Sequence, residues 1–518
     1  MMRQTMMIGA ALAAGTIAVL AAPRAPAAPV TEMSCADLKA AHFADVTIAA
    51  AEDVAPGKLW SDAPPAGPFQ RRAPKAGFCR VQGVIDKEIG FELWLPPRAA
   101  WNGKLLGAGV GGDAGMFNYQ DLPRGVDRGY ATATTDTGHK ANAENWMLGD
   151  PARLTNFEWR ANHLLAVKGK EILAAYYAAP AKLAYFVGCS GGGRQGLKEI
   201  QKFPADYDGV LVGAGGPKTP EMTTRRMWEI LLRDKNAGLM SPADWGLIQQ
   251  SGIAACDKLD GVADGVAEDP RRCTLNFAAL ACKGEKNAQC LTKQQIDFAR
   301  QFYEPMHDED GRKIDDGLLP GVLVDSGRSR LAPNTFQAVR KQSDWNGEGF
   351  SVRADLAAID RVMPDLRADN PDINAFAKRG GKLIQYSGWM DPAVAAKMMI
   401  AYHEAIGRAA GGKAKADAFT RLYMLPGMLH CGGGAGADQI GGAGRDAPLI
   451  DAQHDLLTAL EQWVEEGRAP GPMIASKLES GAVVRTRLIC PYPQSARYKG
   501  GDTNSAASFE CTKAGGKI

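Results

Sequence analysis

Gly90-Phe91-Glu92-Leu93-Trp94-Leu95-Pro96 alternates apolar and polar side chains and then meets proline, the pattern of a strand running out into a loop. Lys104 to Gly107 is a second short run with an apolar centre, ending in the glycine-rich Gly107-Ala108-Gly109-Val110-Gly111-Gly112. A loop of exposed backbone amides after a strand is the expected result. Gly129-Tyr130-Ala131-Thr132-Ala133-Thr134 is β-rich, and Asn162 to Tyr177 spaces its apolar residues at helical intervals, broken only by Gly169. Leu183 to Gly188 reads as a strand, Gln195 to Lys202 as a helix and Asp208 to Gly213 as a buried strand. After a long gap come a strand at Lys382 to Tyr386, a helix from Ala393 to Gly407, a strand at Thr420 to Leu425 and an amphipathic helix from Leu456 to Glu466. Strands alternating with helices predict a mostly parallel sheet with crossover helices. The gap itself, residues 217–376, scatters proline, aspartate, cysteine and tryptophan without that rhythm. It reads as an inserted domain, with 29–216 and 377–518 forming the sheet domain.

The 518 residues, 45% hydrophobic and 23% charged, suffice for a large core and more than one domain. Sixty basic against 58 acidic residues leave a formal charge of +2, too little surplus to hold a phosphate backbone, so nucleic acid is excluded as a partner. Residues 1–28 carry Arg3, an apolar stretch from Met6 to Ala22 and a small-residue Ala25-Pro26-Ala27 site, which predicts a secretory signal peptide and a secreted or periplasmic protein. The apolar run is alanine-rich and hardly long enough to span a bilayer, so no membrane association is expected after cleavage. Ten cysteines in an exported chain favour disulfides. Proximity in sequence suggests Cys35 with Cys79, Cys256 with Cys273, Cys282 with Cys290 and Cys490 with Cys511. Cys189 and Cys431 are left over.

Gly188-Cys189-Ser190-Gly191-Gly192 fits the Gly-x-Ser-x-Gly elbow, a sharp strand-to-helix turn that lifts a serine hydroxyl above the sheet edge. Ser190 is thus the candidate nucleophile, and the Gly191 amide a candidate oxyanion donor. Asp391 follows the strand at Lys382 through Ser387-Gly388-Trp389-Met390, and His430 follows the strand ending at Leu425. The order serine, aspartate, histidine, each just beyond a strand end, is that of an α/β-hydrolase triad. Asp391 before Pro392 also suits a helix N-cap, and a histidine in a loop is commonly a plain surface residue; the position after the last strand argues for chemistry at His430. Cys189 precedes the candidate nucleophile and Cys431 follows the candidate base, so a Ser190–His430 hydrogen bond would bring the two sulfurs within bridging reach. Cys189 as a thiol nucleophile is the weaker alternative in an oxidising compartment.

Asp136-Thr137-Gly138-His139, Gly188-Cys189-Ser190-Gly191-Gly192-Gly193-Arg194-Gln195-Gly196, Asp208-Gly209, Gly388-Trp389-Met390-Asp391, His430-Cys431 and Cys490-Pro491-Tyr492-Pro493 together resemble the tannase and feruloyl esterase family, which also contains mono(2-hydroxyethyl) terephthalate hydrolases. The resemblance spans nearly the whole mature chain. It implies an α/β-hydrolase fold with a large inserted lid domain over the active site, the five disulfides including Cys189–Cys431, and a structural calcium ion in the lid. The calcium ligands would be the carboxylates of Asp257, Asp260 and Asp264 with the carbonyls of Val262 and Val266, hard oxygen donors on one short loop. The spacing is not an EF-hand, and without the resemblance an acidic solvated loop would be the better reading. The resemblance also favours Gly112 as the second oxyanion amide, with Gly111 next to it.

The expected reaction is attack of Ser190 on an ester carbonyl with His430 taking the proton, Asp391 holding the histidine tautomer and water resolving an acyl-enzyme. The resemblance points to small aromatic esters, of ferulate and related cinnamates, gallates, or terephthalate monoesters, and to no organic cofactor. Trp228, Trp345, Phe350 and the arginines near Arg328 are the candidate lid contacts. A non-catalytic hydrolase-fold binding protein would usually lack a triad member, and none is missing. A serine peptidase would share the triad, but no peptidase motif is present.

Overall fold

The computed structural model describes residues 33–64, 72–141, 143–324 and 331–513; the expected signal segment and Arg328 lie outside them. The chain lays down β1 (Val46–Val54), β2 (Phe78–Ile85), β3 (Ile89–Leu95), β4 (Lys104–Ala108), β5 (Ala131–Thr135), β6 (Leu183–Cys189) and β7 (Gly209–Gly213). It then leaves the sheet for an insert containing a small hairpin of β8 (Met306–His307) and β9 (Lys313–Asp315), and returns as β10 (Lys382–Gly388) and β11 (Thr420–Leu425). The sheet order is β1-β2-β3-β5-β4-β6-β7-β10-β11. From β5 to β11 every neighbouring pair is parallel, while β1, β2, β3 and β5 pair antiparallel along one side. This is the α/β-hydrolase architecture.

Side-chain alternation explains why the sheet needs cover on both faces. Leu105, Phe186, Val210, Val212 and Leu383 join one core with the helices Ala161–Tyr177, Gly191–Lys202 and Ala396–Ala409. Their neighbours Leu106, Tyr185, Val187, Leu211 and Ile384 join the opposite core with the helix Leu456–Glu466. Two helix starts differ from the sequence reading by three residues or more. The helix expected at Gln195 begins at Gly191, because Gly191, Gly192 and Gly193 carry no side chains to display a helical pattern. The helix expected at Ala393 begins at Ala396, because the Asp391 carboxylate accepts the amides of Ala393 and Val394 and holds them in a turn.

The insert is not irregular, as its scattered composition suggested. It contains the helices Thr219–Lys235, Pro242–Cys256, Lys293–Tyr303, Leu331–Arg340 and Val352–Val362. One insert core gathers Trp245, Ile248, Phe298 and Phe302. A second joins Met227, Ile230, Phe336 and Trp345 to Val110, Trp146 and Phe157 of the sheet domain, seating the insert beside the carboxyl ends of the strands. Beyond the last core helix, two antiparallel hairpins complete the chain, β12 (Met473–Glu479) with β13 (Ala482–Ile489) and β14 (Gln494–Tyr498) with β15 (Phe509–Lys513). Among the described residues no helix is long and apolar enough to cross a membrane.

Candidate active site

Ser190 stands between β6 and the helix Gly191–Lys202 with φ 59° and ψ −125°, a conformation that costs a non-glycine residue energy and persists only where its surroundings enforce it. The enforcing contacts are visible. The Ser190 amide donates to the Gly213 carbonyl of β7 at 2.9 Å, and Arg194 N–H donates to the Ser190 carbonyl at 2.9 Å. Glycine is required around the turn: a Cβ on Gly188 would overlap the Gly192 backbone, and one on Gly191 would sit 2.6 Å from the Gly112 carbonyl oxygen. The same crowding places the Gly191 and Gly112 backbones side by side. Gly112 borders the cavity above Ser190, whereas Gly111 does not; a Cβ on Gly111 would be 3.9 Å from that of Ser190.

The glycine-rich loop after β4 is fixed from two sides. Gln195, buried five residues after the serine, accepts the Val110 amide at 3.0 Å and donates to the Val110 carbonyl at 3.3 Å. On the far side His139 donates from Nε2 to the Asp113 carbonyl at 2.7 Å and stacks on Trp146 at 3.5 Å; burial pushes its imidazole down to about 4, so it stays neutral. Asp136, at the head of the same motif, accepts the amides of Gly90 and Gly138. The Asp136–His139 motif therefore braces the loop.

Asp391 is buried beyond β10. Its Oδ2 accepts from His430 Nδ1 at 2.8 Å and its Oδ1 takes the amides of Ala393 at 2.7 Å and Val394 at 2.9 Å; the N-cap expected at Asp391 falls instead at Ala395, because the Asp391 carboxylate closes a turn ahead of the helix. The loop carrying His430 is tied to the loop carrying Asp391 by backbone bonds, Trp389 N–H to Leu425 and Met390 N–H to Met428. Cys431, with φ 61°, is bonded to Cys189 across 242 residues, the two Cα atoms 6.0 Å apart. The immediate neighbours of Ser190 and His430 are thus covalently joined. The other four bridges are Cys35–Cys79, Cys256–Cys273, Cys282–Cys290 and Cys490–Cys511, the pairings that sequence proximity suggested.

Ser190, Gly191, Gly112 and His430 share the wall of one cavity of about 300 Å³. Phe157, Met222, Leu331, Ala332 and Val394 supply its apolar surface, and Thr219, Thr223, Arg194 and Arg226 its polar groups. A larger cavity of about 680 Å³ lies between residues of the 270–320 segment and the helix Ala396–Ala409; none of the candidate triad borders it, so the smaller cavity is the candidate site. The candidate lid contacts fall elsewhere. Trp228, half-buried, lies under the Arg225 guanidinium, while Trp345 and Phe350 pack on Phe336 because the insert uses those rings to build its own core. The sequence reading also missed Arg194, Gln195 and Arg226. Arg194 donates to the carbonyls of Phe157 and Glu158 at 3.0 and 2.9 Å, groups in the π-helical turn Asn156–Arg160. Arg226 pairs with Glu229 and reaches the Pro392 carbonyl beside Asp391. A glutamine and an arginine within two helical turns of an elbow serine were the available signal.

In the acidic loop, Asp257 accepts the amides of Asp264 and Gly265, both at 3.0 Å. Arg487 of β13 donates to Asp260 and Asp264, both at 2.6 Å, and to Glu268 at 3.0 Å. The donors fit calcium in kind, being carboxylates and carbonyls of one loop. Their side-chain oxygens do not gather as closely as the ligand atoms of His163, Glu199 and Asp206.

The family model for tannase and feruloyl esterase matches residues 75–320 and 348–512. An esterase of Xanthomonas campestris pv. campestris is 34% identical over 530 residues, covering 92% of this chain and 91% of its own. The crystal structure of feruloyl esterase B from Aspergillus oryzae superposes with a TM-score of 0.86 at 27% identity, covering 92% of this chain and 99% of that one. Tannin acyl hydrolase from Aspergillus niger gives a TM-score of 0.74 at 22% identity over 92% and 94% of the two chains, a likeness of fold. The chain belongs to the tannase and feruloyl esterase family and is a carboxylic ester hydrolase.

Proposed function

We propose that this protein is an exported serine esterase that cleaves esters of aromatic acids, with hydroxycinnamates, gallates and terephthalate monoesters as the candidate acyl groups, through an acyl-enzyme on Ser190. The observation that carries the reading is the convergence of three distant segments: Ser190 on its elbow and His430, hydrogen-bonded to buried Asp391, border one cavity and are joined through Cys189–Cys431. With Asp391 accepting the Nδ1 proton, His430 Nε2 is the basic nitrogen, able to take the Ser190 proton during attack and return it to the leaving alcohol. The Gly191 and Gly112 amides would receive the oxyanion, a contribution that in acyl transfer usually exceeds any other single interaction. The apolar wall of Phe157, Met222, Leu331 and Val394 suits an aromatic ring, and a cavity of about 300 Å³ holds a small acyl group.

The pairing of all ten cysteines supports an oxidising compartment and, with it, export. Calcium in the insert belongs to the same proposal. Asp257, Asp260 and Asp264 with the carbonyls of Val262 and Val266 would hold it. When bound, it would supply positive charge that Arg487 alone provides only in part, a structural contribution outside the ester chemistry.

The test of substrate class is a hydrolysis panel of methyl ferulate, methyl gallate and mono(2-hydroxyethyl) terephthalate against an aliphatic ester of equal leaving group. Aromatic esters should be preferred in kcat/KM by at least about tenfold. Equal rates on the aliphatic ester would overturn the aromatic assignment.

A further inference from the structure

We propose that His163, Glu199 and Asp206 form a binding site for one divalent transition-metal ion of the zinc class, behind the elbow helix and separate from both the ester site and the acidic loop. Each residue offers one ligand atom, and the three atoms lie within 4.8 Å of one another, the one such group of three among the described residues. They come from three elements that the fold brings together: His163 from the helix Ala161–Tyr177, Glu199 from the helix Gly191–Lys202, and Asp206 from the turn leading into β7.

Glu199 is the independent pointer to a ligand. Its side chain is 1% exposed, yet neither carboxylate oxygen has a hydrogen-bond partner. Burial and the facing Asp206 carboxylate raise the Glu199 carboxyl well above its ordinary range, so without an ion the group is held neutral, and no N–H or hydroxyl donor replaces the water it lost. Its neighbour Asp206, also buried, is another carboxylate, and it is already engaged by His163, Nδ1 to Oδ2 at 2.7 Å. A divalent cation shared by the three would satisfy both acids at once.

The donors select the metal. One imidazole nitrogen with two carboxylate oxygens is a borderline set that suits zinc or cobalt, whereas calcium and magnesium take six or more oxygens. Four-coordinate zinc holds its ligand atoms roughly 3.4 Å apart, so the three side chains, whose ligand atoms lie within 4.8 Å of one another, would adjust by about an ångström to take the ion. Stacking on Phe203 at 3.7 Å fixes the His163 ring plane, and the imidazole remains 26% exposed, leaving an entry path and room for a fourth, water ligand.

The experiment uses the full chain, stripped with chelator, returned to calcium-saturated buffer so that the acidic loop is not a competitor, and titrated with Zn²⁺ by calorimetry and with Co²⁺ by visible absorption. Wild type should bind one Zn²⁺ with Kd below about 10 µM and melt at a higher temperature with zinc than without. His163→Ala and Glu199→Gln should each weaken binding at least about tenfold and abolish the zinc-dependent shift. Glu199→Gln, which replaces a buried neutral carboxyl with an amide of the same shape, should fold about as well as wild type, and Asp206→Asn provides a second ligand-deleting variant. Absence of saturable zinc binding, or binding of unchanged affinity in these variants, would overturn the site and leave a carboxyl pair that shares a proton.

Discussion

Gly388 at the end of β10 and Met428 in the histidine loop meet backbone to backbone, so closely that a Cβ on Gly388 would overlap the Met428 carbonyl oxygen and lie 2.5 Å from that of Leu429. This approach brings the loop bearing Asp391 against the loop bearing His430. Gly388→Ala must push the two loops apart, and a shift of about an ångström in a reacting group can cost on the order of a hundredfold in rate. We expect kcat on an aryl ester to fall by about that factor with KM changed far less. Wild-type kcat in a folded Gly388→Ala protein would show that the contact does not set the site.

The Cys189–Cys431 bridge invites a separate comparison. Loop-closure entropy would assign a long-range bridge a few kcal/mol of stability, but the parallel pairing of β6, β7, β10 and β11 already holds both segments. Its loss should therefore harm catalysis more than stability. The Cys189→Ala, Cys431→Ala double variant is expected to lose most of its kcat while its melting temperature shifts modestly. A retained rate with a collapsed melting temperature would assign the bridge to folding instead.

The parallel sheet, the elbow, the order of Ser190, Asp391 and His430 and the cysteine pairs were legible because each leaves a local trace: apolar runs, glycines where backbones touch, residues just past strand ends. β1 and β2 were not singled out, since Val46–Val54 mixes alanine, glutamate and aspartate and its burial is intermittent along an edge. The helices of the insert were not singled out because they carry their apolar residues toward separate small cores. The cavity wall was invisible for a related reason. Aromatic size suggested Trp228, Trp345 and Phe350, but which rings face substrate depends on how insert and sheet domain dock, a long-range outcome with no sequence period.

Glu158 supplies a pH test of that docking. Burial raises its carboxyl from 4.5 to about 7, against the opposing influence of the Asp365 amide it accepts at 2.8 Å. Between those values the folded protein keeps a proton that the unfolded chain has released, so this group's contribution to stability falls as pH rises from about 4.5 to about 7 and is level above. Glu158→Gln keeps the accepted hydrogen bond and removes the titration. Denaturant unfolding should show no difference from wild type at pH 4.5 and a variant more stable by up to about 3 kcal/mol at pH 8. A difference that does not vary with pH would contradict the raised carboxyl.

Chelation tests the acidic loop. An ion bound there stabilises only the folded state, so removing calcium should lower the melting temperature more than it lowers kcat. Asp257→Asn and Asp264→Asn should show the lower melting temperature without chelator and little further change with it. Elemental analysis that finds no calcium in protein prepared without chelator would reduce Asp257, Asp260 and Asp264 to an acidic loop anchored by Arg487.

The central claim is that Ser190 is the nucleophile, and the rate of chromogenic aryl ester hydrolysis by Ser190→Ala addresses it most directly. The strained backbone at position 190 is set by its neighbours, so an alanine there should leave the fold, judged by circular dichroism and melting, as in wild type. Ser190→Ala should lose several powers of ten in kcat, roughly 10⁴ or more, because the remaining groups can bind the ester but cannot form the acyl-enzyme. A folded Ser190→Ala protein with kcat within about tenfold of wild type would contradict it.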